Sequence, residues 1–217
     1  MDRRKWASLC VAAMTYAVLW IGWEQGWAWM ASMDTWLLNA LAVERAGWVR
    51  AWDVLCTILG PNAFRIISLV AIVLLLMRRY WRTALFLFLA IEFSGLVTEL
   101  AKRSADRPRP VTAMVYAYGM SFPSGHALAA MVGALALLTV ALPMVSHRWR
   151  AFLVAIGVGV VVVVGVGRVV LNVHYPSDVL AGWALGYLYY ALCVAVVRPV
   201  PATLTRKPVE IPVVSST

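Results

Sequence analysis

The chain has 217 residues, 63% of them hydrophobic and 13% charged, with a net charge of +9. Ordinary soluble domains carry roughly 45–50% apolar and about 25% charged residues, and a soluble protein of this size has too little interior to hide such a surplus. A water-soluble globule is thereby excluded, and the composition reads as an all-α, polytopic membrane protein whose first partner is the lipid bilayer. The positive charge does not point to nucleic acid. Lys and Arg fall in short clusters between apolar runs, as in Arg78-Arg79-Tyr80-Trp81-Arg82, which is how membrane topology is written.

A bilayer-spanning helix needs about 20 mostly apolar residues. The first such run covers residues 6–23, behind Asp2-Arg3-Arg4-Lys5. It is longer than a secretory h-region of roughly 7–15 residues and no small-x-small site follows it, so an uncleaved first span is expected. Residues 24–58 are expected outside the membrane. There Trp27, Trp29, Trp36, Trp48 and Trp52 alternate with Asp34, Glu44, Arg45, Arg50 and Asp53. They form either an amphipathic segment at headgroup level or a set of packing aromatics. Further spans are expected over 59–77, 83–100, 125–145, 151–170 and 178–197. Residues 1–200 then form one six-span domain, and residues 201–217 a disordered cytoplasmic tail.

Cys10, Cys56 and Cys193 lie in or near apolar segments without metal-ligand spacing and read as inert thiols. Gly182-x3-Gly186 and the series Gly157, Gly159, Gly165, Gly167 read as close helix contacts. Within the third span, Glu92 is either functional or hydrogen-bonded to a neighbouring helix, and Glu99 reads as an ion-pair partner of Lys102 and Arg103.

The positive-inside rule sets the topology. Arg3, Arg4 and Lys5, then Arg78, Arg79 and Arg82, then Arg148 and Arg150, then Arg198, Arg206 and Lys207 fall on one side of the layout. That side is read as cytoplasmic, with both termini, in a plasma membrane. Lys102, Arg103, Arg107 and Arg109 break the rule, balanced nearby only by Asp106, and Arg168 sits at the outer end of the fifth span. Charges at membrane level are costly and mark function. Guanidinium geometry suits phosphate; the alternative is unspecific binding of anionic headgroups.

Two of the three histidines fall beside these cations. His126 follows Pro123-Ser124-Gly125, a small-residue turn opening the fourth span, where free backbone N–H groups can hold anionic oxygens. His174 precedes Asp178 by four residues across Pro176, a spacing that can bring imidazole and carboxylate to one face of a helix start.

These residues resemble the signature of the type-2 phosphatidic acid phosphatase superfamily: Lys102-x6-Arg109-Pro110, then Pro123-Ser124-Gly125-His126, then Arg168-x5-His174-x3-Asp178. The departure is Gly167, where that pattern usually carries a serine, a secondary phosphate contact. The resemblance implies a membrane lipid phosphatase with an outward-facing active site and no metal or cofactor. It also implies roles. Lys102, Arg109 and Arg168 hold the phosphoryl oxygens, with Ser124 and the Gly125 amide adding hydrogen bonds. His174 attacks phosphorus to form a phosphohistidine, Asp178 orients it, and His126 protonates the leaving oxygen and then activates water. Candidate substrates are polyprenyl diphosphate, phosphatidylglycerol phosphate and phosphatidic acid; the outward site and Ala-, Val- and Arg-rich bacterial usage favour the first two. Vanadium haloperoxidases resemble the same motif, but six spans argue against that activity. A non-catalytic lipid-binding or transport role would not need both histidines and Asp178.

Overall fold

The computed structural model describes residues 3–43 and 45–200. Glu44 and the tail 201–217, with Arg206 and Lys207, lie outside the described residues. The helices are α1 (Arg3–Glu24), α2 (Ala28–Leu41), α3 (Ala46–Ile58), α4 (Pro61–Met77), α5 (Trp81–Leu87), α6 (Ser94–Ala105), α7 (Gly125–Ala141), α8 (His147–Val170) and α9 (Pro176–Val197). A π-helical turn, Phe88–Glu92, joins α5 to α6.

Among the described residues, six stretches are long and apolar enough to cross a bilayer: Arg3–Glu24, Ala46–Met77, Trp81–Ala105, Gly125–Met144, His147–Val170 and Pro176–Val197. Five agree with the expected spans apart from their ends. The second begins at Ala46 instead of residue 59, because residues 46–58 are helical and apolar too. Gly60 and Pro61 break it: Pro61 is the first residue of α4, and its ring cannot continue the preceding helix. At 1.5 Å per residue the 17 residues of α4 cover about 26 Å, close to the hydrocarbon thickness of ~30 Å. α3 is therefore not needed for the crossing. Its Val49 and Trp52 instead lie against Leu171 and Val173, just beyond α8.

α7 is the hub. Ala127, Leu128, Ala130, Val132 and Ala136 are buried on its several faces, and small side chains let its neighbours come close. A Cβ on Gly182 of α9 would stand 2.6 Å from the Ser124 carbonyl oxygen, and one on Gly186 would stand 2.9 Å from that of Leu128. The Phe64 ring of α4 rests on Gly133, Gly157 of α8 meets Leu138, and Gly165 meets Trp183. The packing expectation holds at these positions and not at Gly159, which has nothing within 4 Å of its Cβ position. Outward faces are apolar, with Ile66, Val70, Val73 and Leu74 of α4 and Val158 and Val162 of α8 exposed, as lipid contact requires.

Polar side chains stitch the helices where lipid cannot. Ser68 Oγ donates to Glu92 Oε1 at 2.6 Å, which is the interhelical bond open to Glu92 in the sequence reading. Trp23 Nε1 donates to the Ala105 carbonyl at 2.7 Å, joining α1 to the end of α6. The end of the bundle carrying Trp23, Ala105 and the starts of α7 and α9 is here called the upper end. The chain termini of the described residues lie at the lower end, where Thr83 Oγ1 donates to the Val200 carbonyl.

Gly182→Val is expected to drive a side chain into the Ser124 carbonyl. Overpacking costs of roughly 3 kcal/mol would lower Tm by about 6–12 °C in a detergent thermal-shift assay. Gly159→Ala, at an open helix-interior position, should hold Tm or raise it by about 1–2 °C.

Candidate active site

The site is built on the start of α9. Tyr175 is the N-cap, Pro176 the first helical residue and Asp178 the third, with Asp178 Oδ2 accepting the Tyr175 backbone N–H at 2.9 Å. The same carboxylate is fully buried. Its Oδ2 accepts the Ser121 hydroxyl, and its Oδ1 accepts Arg107 Nη1 at 2.7 Å. His174, also buried, presents Nδ1 to Asp178 Oδ2 at 3.5 Å and to Ser121 Oγ at 3.4 Å.

The turn that delivers His174 unwinds α8. The N–H groups of Leu171 and Val173 donate to the carbonyls of Gly167 and Arg168, and Asn172 adopts a left-handed φ of 53°, a conformation Asn tolerates better than most residues. The His174 N–H returns to the Arg168 carbonyl at 3.3 Å, so the imidazole stands over the helix end that carries Arg168.

Arg109 sets the tautomer. Its Nη1 lies 3.0 Å from His174 Nε2. A guanidinium can only donate, so Nε2 is the lone-pair nitrogen and Nδ1 carries the proton, facing Asp178. Arg109 is itself held by carbonyls: Nε donates to Gly119 at 2.9 Å, Nη2 to Tyr118 at 2.9 Å and Nη1 to Val173 at 2.8 Å. The 106–124 loop thus fixes the cation against the histidine.

His126 sits on the first turn of α7 below the α3–α4 break; a Cβ on Gly60 would be 3.4 Å from its Cδ2. Arg168, His174, Arg109 and Lys102 all lie within electrostatic range of it. Ser124 is the N-cap of α7, its Oγ accepting the Ala127 N–H at 3.5 Å and its own N–H donating to the Asp178 carbonyl at 2.9 Å. Gly125 lies against Thr98 of α6, 2.9 Å from where a Cβ would stand. The structure therefore brings Lys102, Arg109, Ser124, Gly125, His126, Arg168, His174 and Asp178 to one upper cluster.

Two of the five cations expected around an anion do not join it. Arg103 is exposed and pairs with Glu99 at 3.1 Å, which bears out the ion-pair reading of Glu99 for that residue. Arg107 is buried and both its terminal nitrogens are engaged with protein, while its Nε has no hydrogen-bond partner: Nη1 donates to Ser177 Oγ and Asp178 Oδ1, both at 2.7 Å, and Nη2 donates to Asp34 Oδ2 at 2.8 Å. Its guanidinium is stacked 4.1 Å from the Tyr175 ring and 4.8 Å from that of Trp23. Asp34, expected on an amphipathic surface segment, is instead 0% exposed. Of the tryptophans around it, Trp29, Trp36 and Trp48 are exposed, while Trp27 and Trp52 pack inward. Sequence reasoning missed Ser121 altogether and gave Asp34 and Arg107 the wrong surroundings. The available signal for Asp34 was an acid alone inside an apolar helix.

Gly167 also reads differently. A Cβ there would stand 2.4 Å from Cys56 Sγ and 3.0 Å from the Trp52 ring. The position faces α3, so the missing serine is explained by helix packing.

Burial lowers the His174 pKa from 6.5 to about 4; the Asp178 hydrogen bond and charge oppose this, while Arg109 and Arg168 add to it. His174 is therefore neutral at pH 7, and its contact with Asp178 is a hydrogen bond to a carboxylate and not an ion pair. Burial, with Arg168 close by, also holds Arg109 below its ordinary value.

The sequence profile of the PAP2 superfamily, the type-2 phosphatidic acid phosphatases, matches residues 83–201. Phosphatidylglycerophosphatase B of Bacillus subtilis (strain 168) is 31% identical over 168 residues, covering 74% of this chain and 81% of that protein. An undecaprenyl-diphosphatase of Sulfolobus acidocaldarius is 32% identical over 124 residues, covering 54% of this chain and 56% of that protein. The fold matches the crystal structure of a transmembrane PAP2 type phosphatidylglycerolphosphate phosphatase from Bacillus subtilis with a TM-score of 0.72. At 23% identity that match covers 87% of this chain and 95% of the other.

Gly167→Ser is expected to push α3 off α8 and lower Tm, and Cys56→Ala combined with it should recover part of the loss. Thermal shifts of the two single variants and the double variant check this coupling.

Proposed function

The chain belongs to the PAP2 superfamily, and from that premise we propose that it is a multi-pass membrane lipid phosphatase working through a phosphohistidine on His174. The observation that carries this reading is the His174 ring: Nδ1–H faces a buried carboxylate and the Nε2 lone pair faces a fixed guanidinium. A phosphoryl group bound by Arg109 would meet that lone pair directly.

In this reading Lys102, Arg109 and Arg168 bind the three non-bridging oxygens and neutralise charge as it develops. Ser124 and the Gly125 N–H at the start of α7 add hydrogen bonds. His174 Nε2 forms the N–P bond while the P–O bond to the lipid breaks, and His126, which takes up a proton once the bound phosphoryl oxygens offset the cations around it, passes that proton to the leaving oxygen. Neutral His126 then takes a proton from water, whose oxygen attacks phosphorus as the N–P bond breaks, releasing inorganic phosphate and restoring both histidines. Asp178, through Nδ1–H, holds the ring in the reactive tautomer and offsets the positive charge it acquires.

Phosphatidylglycerol phosphate is the first substrate to propose, since the Bacillus subtilis phosphatidylglycerophosphatase B relative aligns over most of its length. A polyprenyl diphosphate is the second, supported by the shorter match to an undecaprenyl-diphosphatase. Arg3, Arg4, Arg78, Arg79, Arg82, Arg148, Arg150 and Arg198 flank the lower ends of the spans. The positive-inside rule makes that end cytoplasmic, so the site would face the exterior or periplasm and both termini the cytoplasm.

Detergent-purified protein should release phosphate from phosphatidylglycerol phosphate with EDTA present, because each step above is assigned to a side chain. His174→Ala should lose at least about 10³-fold in kcat, as expected for a lost nucleophile. Full activity in that variant, or none in the wild type on phosphatidylglycerol phosphate, polyprenyl diphosphate or phosphatidic acid, would sink the reading in favour of a binding or transport role. A second outcome concerns pH. The lowered His174 value means that the nucleophile is protonated only near pH 4, so the acid limb of kcat/KM assigned to it should lie well below pH 6.5. The same sign holds for stability: above pH 6.5 nothing is lost, and between 6.5 and 4 the unfolded chain gains a proton that the buried ring resists.

A further inference from the structure

Arg107 and Asp34 touch none of the groups assigned to the chemistry except through Asp178. Asp34 sits on α2, 143 residues before Ser177 in sequence, yet both its oxygens are spent there: Oδ1 accepts the Ser177 N–H at 2.9 Å, and Oδ2 accepts the Ser177 hydroxyl and Arg107 Nη2. Arg107 turns its second terminal nitrogen, Nη1, to Asp178 Oδ1 and Ser177 Oγ. The cluster is thus a chain, Asp34–Arg107–Asp178–His174, in which Asp34, Arg107 and Asp178 are about 95% buried or more.

Its charges sum in a telling way. With His174 neutral, two carboxylates and one guanidinium leave one net negative charge. When phosphorus bonds to Nε2 the ring becomes positive, and the buried cluster becomes neutral. Without Asp34 it would start neutral and finish with one net positive charge, which is expensive away from water. Arg107 would then hold Asp178 as its only counter-charge and draw its field away from the imidazole.

We propose that Asp34 is a positioning residue of the reaction, neutralising Arg107 from the side away from Asp178 so that the Asp178 charge stays committed to the His174 ring. This rests on the reading of His174 as nucleophile. Arg109, assigned to phosphate, meets the ring at Nε2 while Asp178 meets it at Nδ1, so Asp34 acts on the chemical step and not on substrate capture.

The test compares the full-length wild type with Asp34→Asn, which keeps the shape of the clamp and removes its charge. Ser177→Ala is the counterpart, removing a hydroxyl from the clamp and keeping every charge. Besides Asp178, the groups facing His174 are Arg109 and Ser121 from the 106–124 loop, Arg168 from α8 and His126 from α7; all are left in place. On phosphatidylglycerol phosphate, Asp34→Asn should lower kcat by about 10- to 100-fold with KM within about twofold, the range of a lost electrostatic contribution. The acid limb of kcat/KM should move further down, whereas Ser177→Ala should leave it at its wild-type position.

A readout independent of turnover is the nitrogen-15 NMR titration of histidine-labelled protein, which reports the tautomer and protonation of His174 directly. The His174→Gln spectrum assigns its signal. Asp34→Asn should lower the pH at which the His174 signal titrates. Where the asparagine variant does not fold, Asp34→Glu, which keeps the charge, should retain the wild-type titration in whatever folded fraction remains. An unchanged His174 titration in Asp34→Asn overturns the proposal, as does a shift in Asp34→Glu or an acid limb that moves equally in Ser177→Ala. An inactive wild type with the expected NMR shift would instead refute the phosphatase reading and leave the electrostatic link standing.

Discussion

The guanidinium of Arg107, gripped between the carboxylates of Asp34 and Asp178, is the contact on which the upper end of this protein depends. It gathers α2, the 106–124 loop and the start of α9 through charge, and α1 through the face of Trp23. Two carboxylates this deeply buried need a counter-charge between them, because a buried charge without a partner is costly. Removing one member of such a pair costs on the order of 3–5 kcal/mol because the other is left uncompensated. The start of α9 helps: the unpaired N–H groups of Tyr175 and Ser177 each meet one of the two carboxylates, where the helix dipole also favours negative charge.

That arrangement divides the basic residues of the upper end by task. Arg107 is neutralised inside, Arg103 faces outward onto Glu99, and Lys102, Arg109 and Arg168 are left near the two histidines. Arg109, outside the spans, is pressed by burial and by the positive charge of Arg168 beside it. A doubly charged phosphoryl group would relieve that repulsion. Arg109 shows how the cost of holding such a cation in place is met, since three backbone carbonyls of the loop and of Val173 fix its plane before any substrate arrives. Preorganisation of this kind serves phosphoryl transfer, where little beyond positioning and electrostatics is required of the protein.

The bundle below supplies rigidity through small residues. Gly182 and Gly186 let α9 lie directly on the backbone of α7, so the turn bearing His126 and the turn bearing Asp178 are held by a backbone contact, Ser124 N–H to the Asp178 carbonyl. Two catalytic candidates from different signature segments are thereby kept in register without relying on any flexible side chain.

Much of this was legible in the sequence. Six spans and the meeting of Lys102, Arg109, His126, Arg168, His174 and Asp178 at one end follow from hydropathy and charge, which are summed locally along the chain and act on each segment separately. The start of α9 was legible too, because Pro176 and Asp178 are local helix-start signals. Residues 46–58, read as lying outside the spans, are helical and apolar as well, and apolar helices that cross a bilayer share one composition with apolar helices that cap a bundle. The fit of Gly167 and the partners of Asp34 were beyond reach for a different reason. The close fit of Gly167 against Cys56, and the ion chain from Asp34 through Arg107 to Asp178, are contacts between segments remote in sequence. Their energies exist only once packing has removed both partners from the surroundings they would otherwise have. The sequence by itself determined what crosses the membrane and which residues could do chemistry; the tertiary structure alone decided which charges cancel and which remain to act.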